Sequence, residues 1–150
     1  MNAHNHELVP FKADHMAGVR WTEEKLAERL GDRAFVSYEK HPGYSLFCNG
    51  VFVGAGGIVV LYQGVGEAWA IAGRPLSRLH TLSFHRGITR IMDDLARDLK
   101  LRRLQAMVRA SFEQSHEWVQ RLGFEREATL RRYGINGEDM TMYARFFDAQ

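Results

Sequence analysis

Apolar and polar positions change period several times along the chain, and each change marks an element. Residues 6–12 (HELVPFK) read as a short strand. Asp14 and Thr22 each offer an N-cap, the second with Glu23 and Glu24 in its first turn, which predicts helix over residues 14–30 in two pieces broken near Gly18 to Trp21. Residues 44–62 are rich in Val, Ile, Phe and Tyr, and Asn49-Gly50 divides them into a hairpin. A third strand is predicted over residues 67–72, among glycines at 64, 66 and 73. Leu79, Leu82, Ile88, Ile91, Met92, Leu95 and Leu99 then recur at three- and four-residue intervals, the mark of one long amphipathic helix opened by Pro75 and Ser77. Residues 101–109 alternate as a strand. Ser111 and Gln114 have capping-box spacing ahead of a helix over 112–122 that stops at Gly123. The tail predicts strands over 125–133 and 138–147 joined by a tight turn at Asn136-Gly137.

The resulting order is strand, one or two helices, three strands, long helix, strand, helix and a final hairpin. This is an α+β pattern, and 150 residues with 45% hydrophobic content suit a single domain over residues 1–150. The longest apolar run, residues 54–62, is far short of the roughly 20 residues a membrane span needs. With no apolar signal region in MNAHNHELVP, a cytoplasmic protein is expected. The lone Cys48 has no internal disulfide partner and reads as a small core residue. A formal charge of +2, with arginines gathered between Arg74 and Arg103 and again at Arg131 and Arg132, is too little to argue for nucleic acid; it suits a polyanionic small ligand as well as it suits RNA, or else is an ordinary solvated surface. His4, His6 and His15 lack Cys or carboxylate partners at ligand spacing, so no metal is expected.

The element order resembles the GNAT N-acetyltransferases over nearly the whole chain. The local match is Leu104-Gln-Ala-Met-Val-Arg109, the helix after it and Arg121-Leu-Gly-Phe124. In more detail the chain resembles GNAT-like proteins of tailed bacteriophages, including the internal virion protein of short-tailed phages. That likeness lies in the Trp69 strand, the Arg-rich long helix and SFEQSHEWVQRLGF. The resemblance implies a mixed, mostly antiparallel sheet of six to seven strands flanked by about four helices, and a phage or prophage origin. It also implies an acetyl-CoA-dependent N-acetyltransferase acting on an amine, such as a lysine or the amino terminus of a host protein. The alternative is a GNAT-shaped virion or protein-binding module that has lost the cofactor turn.

By the same resemblance, acetyl-CoA would lie along the fourth strand at Trp69, Ala70, Ile71 and Ala72, which would neighbour residues 104–109 in parallel through a helical crossover. The small Ala70 and Ala72 either leave room for the thioester or allow close helix-on-sheet packing. The family's glycine-rich pyrophosphate turn is missing: its positions fall on His80, Ser83 and His85, and Gly87 reads as a helix residue. A substitute cradle is Gly73, Arg74, Ser77 and Arg78, with the arginines meeting phosphate; the other reading is a strand-to-helix turn with solvated arginines. Glu67 is the candidate base, or else a solvated carboxylate near a strand end. The family's Tyr acid falls on Val119, and Ser115, His116 and Tyr133 are the substitutes.

Overall fold

The computed structural model describes residues 6–16, 36–72, 78–134 and 136–148. Strands β1 (His6–Pro10), β2 (Gly43–Cys48), β3 (Val51–Tyr62) and β4 (Val65–Ala72) lead into helix α1 (Arg78–Asp98). Strand β5 (Arg103–Arg109), helix α2 (Glu113–Arg121) and strands β6 (Glu125–Leu130) and β7 (Met140–Phe146) complete the chain. The seven strands hydrogen-bond in the order β1-β2-β3-β4-β5-β7-β6. A 3-10 turn at Ala13–Met16 occupies the start of the helix expected over 14–30, and the remainder of that helix lies outside the described residues.

Two expectations at the carboxyl-terminal end need correction. Helix α2 has Phe112 at its N-cap with no side-chain cap hydrogen bond, so Ser111 and Gln114 do not form a capping box. A turn in which the Phe112 amide donates to the Arg109 carbonyl (3.0 Å) starts the helix one residue later, with the Arg109 guanidinium 5.2 Å from the Phe112 ring centroid. The final hairpin is wider than a two-residue turn, because β6 and β7 meet at Leu130↔Met140 and residues 131–139 form the connection. Gly137 does adopt the left-handed conformation there, at φ 80.

Contacts divide the chain into two units, residues 1–59 with 69–95 and residues 60–68 with 96–150. In the first, α1 comes close to β3 because β3 has glycines where the helix lands. A Cβ at Gly56 would meet Met92 Cε at 3.5 Å and would collide with Ile88, while one at Gly54 would collide with Phe84 and stand 2.7 Å from the Ile71 carbonyl oxygen. A second cluster in this unit joins Phe11, Ala55 and Ile71 with Tyr38, Phe52 and Trp69. In the other unit, β5 alternates as the sequence predicts, burying Leu104, Ala106 and Val108. Helix α2 packs on β5, with Val119, Leu122 and Phe124 also buried. Gly123 takes φ 94, the left-handed turn that ends a helix.

The expected parallel pairing of β4 and β5 is present, from Val65↔Arg103 to Ala68↔Ala106. Two parallel neighbours cannot be joined by a tight turn, and α1 is the crossover that joins them.

Gly54→Ala should destabilise the protein by about 1–3 kcal/mol, because the added methyl meets backbone as well as a buried ring. Gly87→Ala, in the interior of α1 with only the end of the Leu46 side chain near it at 3.3 Å, should stabilise by about 0.5–1 kcal/mol. Urea midpoints of both variants check the contrast.

Candidate active site

Strand alternation and the β4–β5 register place Glu67 directly opposite Gln105. Gln105 Nε2 donates to Glu67 Oε1 at 3.1 Å, and Gln105 Oε1 accepts from Arg103 Nε at 3.1 Å. Arg103 is clamped from its other side: Nη1 and Nη2 donate to the two carboxylate oxygens of Glu127 at 2.8 and 2.6 Å. The row is therefore Glu67, Gln105, Arg103, Glu127, in which each group orients the next.

Glu127 reaches this row because β6 is bulged. Arg126 pairs with Tyr143 and Ala128 with Met142, so Glu127 is the extra residue, and a bulge re-aims the side chain it carries. Hydrogen bonding to Arg103 holds the Glu127 carboxyl below its ordinary range, and the same contact raises the Arg103 guanidinium further. Arg103 Nη2 also lies 3.3 Å from Met142 Sδ, and its guanidinium is 5.7 Å from the Phe146 ring centroid. Sequence reasoning found Glu67 and missed Gln105, Arg103 and Glu127. Alternation along residues 101–109 put Arg103 and Gln105 on one face, and only the register with β4 brings Gln105 opposite Glu67.

His116 and Tyr133 are not brought together. Tyr133 is exposed in the connection between β6 and β7. His116, in α2, has Nε2 at 2.9 Å from the Arg109 carbonyl and 3.0 Å from that of Ala110, and Nδ1 at 2.6 Å from Tyr143 Oη. Carbonyls only accept, so the neutral ring carries its proton on Nε2, and Nδ1 accepts from the Tyr143 hydroxyl. Tyr143, on β7, is almost fully buried. The two residues thus tie α2 to the end of β5 and to β7. Ser115, on the same helix, is half-buried.

Trp69 and Ile71 turn into the core of their unit. The Trp69 indole stacks on Tyr38 at 4.6 Å and meets the edge of Phe11 at 4.7 Å, and a Cβ at Gly43 or Gly57 would come within 3.0 Å of it. Ala70 is exposed although β4 is the middle strand of seven. Ala72 ends β4, Gly73, Arg74 and Ser77 lie outside the described residues, and Arg78 is the first residue of α1. His80, Ser83 and His85, where the glycine pattern would fall, are inside that helix. Among the described residues no group of three or more His, Cys, Asp or Glu is placed to hold a metal, and no helix is long and apolar enough to cross a membrane.

No family model and no curated protein matches the sequence. Solved structures do match the fold. Ard1 from Thermoplasma volcanium superposes with a TM-score of 0.76 at 13% identity, over 94% of this chain and 97% of that one. RimL, a ribosomal alpha-N-protein acetyltransferase in complex with coenzyme A, gives 0.72 at 16% identity over 97% and 96%. An acetyltransferase of the GNAT family from Bacillus anthracis gives 0.69 at 14% identity over 97% and 96%. The chain has the GNAT fold. The likeness spans nearly the full length on both sides, so the GNAT order of strands is present without large insertions.

His116→Ala should destabilise by about 1–3 kcal/mol, since it strands the buried Tyr143 hydroxyl, whereas Tyr143→Phe should cost about 1 kcal/mol. The double variant should cost less than the sum of the two. Chemical denaturation of the three variants measures that coupling.

Proposed function

We propose that this protein is an acetyl-CoA-dependent N-acetyltransferase acting on an amine. The observation that carries the reading is the exposed Ala70 on the central strand, one residue past Trp69 and two past the last pair of the β4–β5 register, Ala68↔Ala106. A mid-sheet strand position left open by small side chains suits an extended ligand hydrogen-bonded to backbone. Coenzyme A is bound in RimL, which shares the fold. The pantetheine would run along the backbone of Trp69–Ala72. Its phosphates would meet the first turn of α1, where amides without helical partners and the positive helix end favour an anion, with Arg74 and Arg78 adding charge.

Acetyl-CoA, when bound, supplies the thioester whose carbonyl carbon the amine nitrogen attacks, with the C–S bond breaking and the thiolate leaving. Glu67 takes the proton that the amine loses, directly or through one water. Its carboxylate is half-buried, and its hydrogen-bond partner, Gln105, is a neutral amide rather than a cation. His116 has both ring nitrogens engaged and Tyr133 is exposed, so the reading gives neither the thiolate's proton. The likeness to phage GNAT-like proteins would make the acceptor an amine of a host protein.

Calorimetry with acetyl-CoA, followed by acetyl transfer to a surrogate primary amine, tests the reading. Glu67→Gln should lower transfer roughly 100-fold at neutral pH while leaving acetyl-CoA affinity within about twofold. The loss should shrink toward pH ~10, where a lysine-like amine is already largely neutral. Absence of binding at millimolar acetyl-CoA would instead support a GNAT-shaped virion or protein-binding module.

A further inference from the structure

We infer that Gln105 is a positioning residue that fixes the Glu67 carboxylate for proton transfer, with Arg103 and Glu127 fixing Gln105 in turn. The inference rests on the proposed role of Glu67 and adds to it three residues from two further strands.

The geometry of the row leaves one arrangement. A glutamine amide can be turned end for end, and what surrounds it decides which end faces where. Arg103 Nε can only donate, so the atom 3.1 Å from it is the amide oxygen of Gln105. The amide nitrogen then faces Glu67, where a carboxylate can only accept, and the 3.1 Å contact is a donated hydrogen bond. Turning the amide over would set donor against donor and acceptor against acceptor. Arg103 could drift and release the amide, but two parallel bonds to Glu127 hold its guanidinium in plane. Glu127 in turn owes its reach to the bulge in β6.

The same register makes the backbone under Glu67 firm. Val65↔Arg103 and Gly66↔Leu104 precede the Glu67↔Gln105 pair, and Ala68↔Ala106 follows it. One oxygen of Glu67 is taken by Gln105, and among the described residues no other partner is recorded for the carboxylate. A carboxylate held by one oxygen is arranged to accept a proton on the other along a fixed direction. Misplacing a reacting group by about 1 Å can cost roughly 100-fold in rate, so an anchor on its neighbour carries catalytic weight.

The experiment is a double-mutant cycle in the full chain, with Gln105→Met as the near-isosteric variant and Gln105→Ala as the truncation. The rate constant kcat for acetyl transfer to a primary amine and the acetyl-CoA Kd from calorimetry are measured for each variant, alone and combined with Glu67→Gln. Both Gln105 variants are expected to lower kcat roughly 10-fold with acetyl-CoA Kd within about twofold. Neither should lower it further once Glu67 is Gln, because Gln105 acts through that carboxylate. Losses that multiply in the combined variant, a Kd that weakens in step with kcat, or full activity of Gln105→Met would overturn the positioning role. If the unmodified chain transfers no acetyl group, or Glu67→Gln is as fast as the parent, the base assignment falls first and the inference falls with it. An intact base with an indifferent Gln105 is thereby told apart from a wrong base.

Discussion

The short parallel ladder between β4 and β5 is the constraint on which the other elements depend. Its hydrogen bonds align Val65–Ala68 with Arg103–Ala106, and this alignment sets Glu67 against Gln105. Because parallel neighbours need a long connection, the ladder also demands a helix-length crossover, and α1 fills it. The crossover must pack down on the sheet, and here β3 yields: Gly54 and Gly56 let Phe84, Ile88 and Met92 approach the strand backbone. The helix that carries the chain back begins at Arg78, six residues after the end of the strand that carries Glu67.

What the sequence made legible were the elements with a local cause. The Asn49-Gly50 turn sits where predicted, with both residues at positive φ (50 and 79), and a three- and four-residue apolar spacing became α1 with Gly87 in its interior. The strand-helix-LGF module folds as expected, ending on a left-handed Gly123. Strands predicted at 125–133 and 138–147 proved shorter, because alternation of exposed residues continues into an irregular connection with no change in composition. Ser111 carried a valid capping signal that lost to the turn formed by Arg109 and Phe112.

The site was legible only in part, and for a different reason. Glu67 could be found because a resemblance fixed its strand. Its partners depend on register across β5, β7 and β6, which no local pattern encodes. Glu127 is the sharper case: in the sequence EREATL it is one of two acids on an exposed strand, and the bulge alone separates it from Glu125. Tyr143 likewise looks like one of several aromatics in the tail, and its meaning comes from His116, distant in sequence and adjacent in the fold.

The bulge in β6 has a consequence for how this protein behaves among its own copies. Strand β6 ends the sheet order, so one of its sides has no strand partner among the described residues, and such a strand can template the addition of another chain. A residue inserted against the ladder breaks the regular spacing of donors and acceptors, and the charges of Glu125, Arg126 and Glu127 keep that stretch hydrated. The irregularity that aims a carboxylate at Arg103 therefore also discourages edge-to-edge aggregation, and a variant that straightened β6 would risk solubility as well as the row of polar groups.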